Sequence, residues 1–165
     1  FQLTIGGNPY LTVDNLGAVN KPNNPCVFGY NNVAGSNLTT ASITSYNTWK
    51  PNVTIDMGSN FNSSTGVFTV NTSGIYQVYC HVTRIYGTSS GNVNLRWRLN
   101  NADVNINATS NSYSATLAGE KEQMVCSGLI SATAGDTIRL VYSTDSDATT
   151  AISYDNSSYS IQLVG

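Results

Sequence analysis

The chain has 165 residues with a formal net charge of −2, which is enough for one well-formed core and leaves no excess of positive charge for a nucleic-acid partner. Charged residues make up only 10% of it and hydrophobic ones 40%, with ten Tyr and two Trp; that is too apolar for disorder, and with its wealth of Asn, Ser and Thr it fits an all-β protein with many polar turns. The seven basic residues are scattered along the sequence, and no run nears the ~18 apolar residues of a membrane span, so no membrane insertion is expected. The chain begins at Phe rather than Met, which points to a segment of a longer or processed polypeptide.

Residues 1–24 are set apart from the rest. Two short alternating stretches, Phe1/Leu3/Ile5 and Leu11/Val13, are separated by Gly6-Gly7-Asn8-Pro9, and Asp14 to Gly17 turns before Val19. This segment is too thin in apolar residues to fold alone; its pattern is like that of a β shaft in which three chains together bury what one cannot, with an N-terminal edge strand as the alternative. Pro22-Asn23-Asn24-Pro25 is a stiff hinge, because each Pro fixes its own φ and restricts the residue before it. Residues 25–165 then read as one head domain.

The head opens with a strand at Cys26 to Tyr30, followed by a loop at Asn31 to Asn37 and a short strand within Thr39 to Tyr46. Val53 and Ile55 alternate with polar residues, Asp56 to Thr65 turns, and Val67, Phe68 and Val70 form a short strand. After a turn at Asn71 to Gly74, residues 75 to 85 alternate with period two. One face carries Tyr76, Val78, Cys80 and Val82; the other carries Ile75, Gln77, Tyr79, His81 and Thr83. Neither face is polar enough for water, which suggests a core on one side and a partner chain on the other. Further on, Val93, Leu95, Trp97 and Leu99 alternate with Asn94, Arg96 and Arg98, and Asn100-Asn101 turns into Val104 and Ile106 as a hairpin. Asn107 to Gly119 reads as a polar loop. Glu122 to Ala132 and Thr137 to Thr144 are strands joined through Gly135-Asp136, Ser146 to Thr150 is another loop, and Tyr159 to Val164 closes the chain. No stretch shows a helical face. About nine or ten short strands give an antiparallel jelly-roll sandwich.

Groups for chemistry are few. His81 is the only histidine, so no common zinc triad is available and nothing marks a nucleophile for it to activate. Asp145 and Asp147 could offer oxygens to calcium, but the loop lacks the Gly and distal Glu of a calcium loop. Glu120 and Glu122 read as a solvated strand start, and Asp56 and Asp136 as turn residues. No catalytic residues, metal or cofactor are expected. Cys26, Cys80 and Cys126 show no zinc spacing; they read as buried thiols acting as small hydrophobes, with a disulfide between two of them as the alternative. Tyr86, Tyr113 and Tyr154, with Trp49, lie in or beside loops among Asn and Ser, as flat surfaces for stacking on a sugar; Tyr86, Tyr113 and Tyr154 are the candidate receptor or glycan contacts.

The spacing of Asp56, Phe61, Phe68, Gly74 and Tyr76 resembles the signature of the globular head of complement component one-q and its tumour-necrosis-factor-like relatives. Three positions depart from it: Val78 stands for a Phe, Cys80 for an aromatic, and Lys50 for the leading Phe. Downstream, Ser127-Gly128-Leu129 with Gly135 to Leu140, and Tyr159 to Leu163, resemble the family's later strands. Val13-Asp14, Gly17, Val19, Pro22 and Pro25 are similar to the lead-in found before such heads in bacteriophage fibres. The resemblance implies an all-β tumour-necrosis-factor-like jelly roll and a homotrimer. It puts Tyr79 near the three-fold axis, with Gln77, His81 and Val125 beside it at the trimer interface. It also implies a non-enzymatic virion structural protein: a fibre or tail head on the virion surface, binding a host cell-surface glycan or protein receptor and joined to other virion or fibre proteins. A secreted bacterial or animal adhesin or carbohydrate-binding module of the same fold is the alternative, as is a capsid decoration protein. A carbohydrate-active enzyme on a β-sandwich finds no acid/base pair in the sequence.

Overall fold

A computed structural model describes residues 2–5, 8–13, 19–20, 24–31, 47–48, 50–85, 93–110, 121–144 and 157–165. They form strands and turns, with no helix among the described residues. In chain order the strands are β1 (Gln2–Ile5), β2 (Asn8–Val13), β3 (Val19–Asn20), β4 (Cys26–Asn31), β5 (Asn47–Thr48), β6 (Asn52–Met57) and β7 (Phe61–Asn62). They continue as β8 (Val67–Thr69), β9 (Gly74–Ile85), β10 (Val93–Leu99), β11 (Ala102–Ser110), β12 (Lys121–Ala132), β13 (Thr137–Thr144) and β14 (Ser157–Leu163).

Strands β4 to β14 make two antiparallel sheets. One runs β12-β9-β14-β4-β6; the other runs β11-β10-β13-β8-β7, with β5 added on β13. Period-two alternation sends one row of side chains from each sheet into a shared core. Tyr76, Val78, Cys80 and Val82 of β9 are all buried, as are Leu95 and Trp97 of β10 and Ile138 and Leu140 of β13. The chain is an all-β jelly-roll sandwich, as the alternation indicates.

The five residues of the signature each have a structural task. Phe61 meets Tyr159 at 5.7 Å between ring centroids, and Trp97 meets the same ring at 5.3 Å. Phe68 meets Tyr76 edge-on at 5.8 Å. Each of these contacts joins a strand of one sheet to a strand of the other, so aromatic rings set the spacing of the layers. The Trp97 indole N–H also donates to the Cys126 carbonyl across the sandwich at 3.1 Å. Gly74 is glycine because Gly165 lies on it: a Cβ there would stand 2.4 Å from the Gly165 carbonyl oxygen. Asp56 caps a turn, its carboxylate accepting the backbone N–H groups of Asn60 at 2.9 Å and Phe61 at 3.2 Å.

The structure departs from the sequence reading in four places. There are more strands than nine or ten, because β5 and β7 have two residues each and the N-terminal segment adds three. β7 falls inside the stretch read as one long turn. β11 runs to Ser110, into the stretch read as loop from Asn107; its polar residues pair with β10 as far as Val93 opposite Ser110, and a backbone ladder is indifferent to side-chain polarity. Asn8 and Pro9, read as turn, belong to β2; Pro9 stands opposite Thr4 where the register shifts, a place in a ladder that tolerates a residue with no N–H. β1, β2 and β3 form an antiparallel sheet of their own. Asn24 already donates to the Leu163 carbonyl at 2.8 Å, and Leu163 donates to Pro25 at 3.0 Å. The strand expected within Thr39 to Tyr46 lies outside the described residues.

Candidate functional site

The outer face of the β12-β9-β14-β4-β6 sheet is the main candidate surface. The ladders line its side chains up in rows across the strands. Tyr79 stands opposite Ser127 on one side and Ser160 on the other, and the row continues to Phe28 and Ile55. His81 stands opposite Val125 and Ser158, then Tyr30. Gln77 stands opposite Leu129 and Gln162, then Cys26 and Met57. The four residues expected at an assembly face therefore do share one face. Val125 is the neighbour of His81 and the diagonal neighbour of Tyr79.

This face is uncharged and exposes large apolar side chains among Ser and Gln. Tyr79 is 37% exposed, Val125 52% and Leu129 64%. Phe28, Tyr30, Ile55, Ile75 and Val164 are exposed as well. No Asp, Glu, Lys or Arg occurs in these three rows. Thr83, expected on the same face, is instead buried; its N–H donates to the Ser157 hydroxyl at 3.1 Å. Leu129, Phe28 and Ile55 were missed as face residues. Leu129 could have been found from its period-two spacing to Val125, whereas Phe28 and Ile55 join the patch only through the register of β4 and β6.

The opposite sheet gathers the charges that look scattered in the sequence. Arg98 stands opposite Arg139 on one side and Asp103 on the other. Asp103 pairs with Arg96 at 2.8 Å and with Arg98 at 2.9 Å, and Arg139 donates to the Asn101 side chain. Burial, and then the neighbouring Arg98 charge, hold the Arg139 guanidinium below its ordinary value. Alternation places Arg96 and Arg98 on one face, but their meeting with Arg139 needs the register of three strands.

Asp56 and Asp136 serve the fold. Asp56 caps its turn. Asp136 accepts the Thr133 N–H at 2.7 Å and the Asn100 amide at 2.6 Å; these two bonds, the backbone one foremost, hold its carboxyl below the usual carboxylate range. A groove beside the Asp56 turn runs along Lys50, Pro51, Phe61, Ser63 and Ser64; its one carboxylate, Asp56, is the cap itself. Among the described residues no group of three or more His, Cys, Asp or Glu could hold a metal ion, and no helix is long and apolar enough to cross a membrane. Trp49, Tyr86, Tyr113, Tyr154, Glu120, Asp145 and Asp147 lie outside the described residues.

The three cysteines separate. Cys80 and Cys126 stand directly opposite one another and are buried, and Cys26 is half-buried in the Gln77 row of the outer face. Burial also pushes the Tyr159 phenol well up.

No family model matches the chain, and no curated protein does. Solved structures do. The globular domain of zebrafish complement 1qA gives a TM-score of 0.62 at 14% identity, over 86% of this chain and 98% of that one. Eiger TNF from S. frugiperda gives 0.60 at 12% identity, over 86% and 93%. Murine APRIL at pH 5.0 gives 0.56 at 10%, over 86% and 99%. The chain therefore has the jelly-roll fold of complement 1q and tumour-necrosis-factor head domains.

Proposed function

We propose that this chain is a non-enzymatic, homotrimeric head that binds a receptor, a glycan, on a host cell surface, and that it sits at the tip of a viral fibre. What supports trimerisation is the exposed, uncharged face around Tyr79, Val125 and Leu129. Large apolar side chains gathered on one uncharged face are suited to an interaction surface. Its occupant is a second copy of the chain: with no formal charge in its rows, the face suits an equally uncharged partner, and a heterologous ring that closes at three leaves no sticky face exposed. On this reading Tyr79 lies near the three-fold axis, with Gln77, His81 and Val125 around it.

The viral context is supported by the lead-in residues and by the small β1–β3 sheet ahead of the head, with 1–24 as shaft and 25–165 as head. A glycan receptor is supported by the aromatic and Asn/Ser-rich composition of the sequence around Tyr86, Tyr113 and Tyr154. The non-enzymatic reading is supported by the structural employment of Asp56, Asp103 and Asp136. Light scattering on the purified chain is expected to give three times 17.6 kDa, and a glycan array probed with that trimer is expected to show selective binding. A mass near one chain removes the assembly reading; a trimer that binds no glycan but adsorbs to host cells replaces the glycan with a protein receptor.

A further inference from the structure

The sheet register separates the three cysteines in a way the sequence does not. Cys80 of β9 and Cys126 of β12 are paired Cα to Cα. Both point into the core, and their thiols are hydrogen-bonded to each other. Opposite residues of an antiparallel pair hold their Cα atoms about 4.5–5.5 Å apart, inside the roughly 4.4–6.8 Å that a disulfide spans. Cys26 is on the outward face of β4, in register with Gln162 and Met57, and so is no partner for either.

We propose that Cys80 and Cys126 form an oxidisable dithiol site, whose two-electron oxidation by a small-molecule disulfide ties strand β12 to β9 beneath the outer face that carries Tyr79 and Val125. The inference rests on the sheet register and the thiol contact, and it stands whether or not the chain assembles through that face.

The exchange runs in two steps. The Cys80 thiol donates to the Cys126 sulfur, which holds the Cys126 thiol down and pushes the Cys80 thiol up. The Cys126 thiolate attacks one sulfur of the oxidant RS–SR. That S–S bond breaks, one thiolate leaves, and Cys126 carries the other half as a mixed disulfide. Cys80 then loses its proton and attacks the Cys126 sulfur, expelling the second thiolate. The protein gives up two protons and two electrons and gains one S–S bond, while RS–SR becomes two RSH.

Both sulfurs are buried, so the reaction needs β12 to open. Among the described residues β12 stands at the end of its sheet, with a ladder to β9 alone, and a strand held on one side opens at lower cost than the middle of a sheet. The Trp97 indole on the Cys126 carbonyl and Tyr159 opposite Cys80 brace the closed state. Oxidation should accordingly be slow in buffer and faster in mild urea.

The test uses the Cys26→Ser chain, which keeps the pair and removes the third thiol. It is incubated with glutathione disulfide in mild urea, then denatured, alkylated and analysed by mass spectrometry. The expected product is two hydrogens lighter, takes up no alkylating agent and yields a linked Cys80–Cys126 peptide. Its melting temperature should rise by about 5–10 °C, the scale for a disulfide closing a long loop in a domain of this size, and dithiothreitol should reverse the rise. Cys80→Ala in the same background should show no rise; if that variant does not fold, the peptide result on the parent chain decides. Two thiols that both remain alkylatable, a stable glutathione adduct in place of the bridge, or a bridge that leaves the melting temperature unmoved would each overturn the proposal.

Discussion

Asp56 and Asp136 show how acidic residues can be spent on backbone geometry. Asp56 accepts two backbone N–H groups of its turn, and Asp136 accepts the Thr133 N–H of its own turn on one oxygen and the Asn100 amide on the other. Asp136 also fixes its turn to the neighbouring hairpin, since Asn100 bonds both its carboxylate and the Thr137 N–H, the latter at 2.8 Å. Its folded pKa is depressed, so its contribution is present above the unfolded value of about 3.9 and is lost as pH falls through the folded value. Urea midpoints measured from neutral pH down to about pH 2.5 should therefore fall for the natural chain as Asp136 takes up its proton. Asp136→Ala should start lower at neutral pH, lose less on acidification, and approach the natural chain at the acid end. Two parallel curves would show that the carboxylate contributes nothing through its charge. These turn roles were legible in the sequence because they are local: Gly-Asp before an apolar run needs only neighbours in the chain. The Arg96–Arg98–Arg139 cluster was not legible, because Arg139 reaches the others only through the pairing of distant strands.

At the scale of elements, length is a poor guide to importance. β8 has three residues, yet its central Phe68 is fully buried against Tyr76. The residue that follows β8, Val70, exchanges backbone hydrogen bonds with the β12–β13 turn: Val70 donates to Asp136 and Gly135 donates to Val70, both at 2.8 Å. Phe68→Ala should cost about 3–5 kcal/mol, the usual scale for deleting a buried Phe, read as a lower urea midpoint. An unchanged midpoint would mean that the small strand carries none of the core. The long strands were read nearly in full, since β9 and β12 alternate over many residues and their burial follows the pattern. β5, β7 and the end of β11 were not, because two-residue strands and polar ladder segments are held by the backbone of a neighbour and leave no periodic trace. Asn100 and Asn101 fall between these cases. Both take positive φ, 49° and 69°, as a tight hairpin turn requires and as Asn tolerates, so this turn was visible in the residues themselves.

For the whole molecule, the two outer faces of the sandwich divide between them what the sequence distributes evenly. The six-stranded sheet carries the Arg96–Arg98–Arg139 charges and Asp103, while the rows around Tyr79 carry none. A charged, hydrated face is suited to solvent and an uncharged apolar one to a partner, so the trimer we propose buries the second and leaves the first outside. Tyr79 was singled out from alternation and resemblance; the breadth of the face around it, from Leu129 to Ile55, was not, because breadth is set by the order of the strands and only the register supplies that. Under this arrangement Tyr79→Ala removes a large ring that orders at modest entropy cost, and Leu129→Glu forces a charge into a contact with no opposite charge in its rows. Both variants should shift from trimer to monomer on dilution, Leu129→Glu at the higher concentration of the two. Asn105→Ala, exposed on β11 of the other sheet, should dilute like the natural chain. Since Tyr79 and Leu129 are already exposed in the single chain, both variants should keep a melting profile that is cooperative once dissociated, which separates lost assembly from lost folding. Sedimentation velocity across a dilution series reads the outcome directly: if Leu129→Glu stays trimeric to the same dilution as Asn105→Ala, the uncharged face is not where the copies meet.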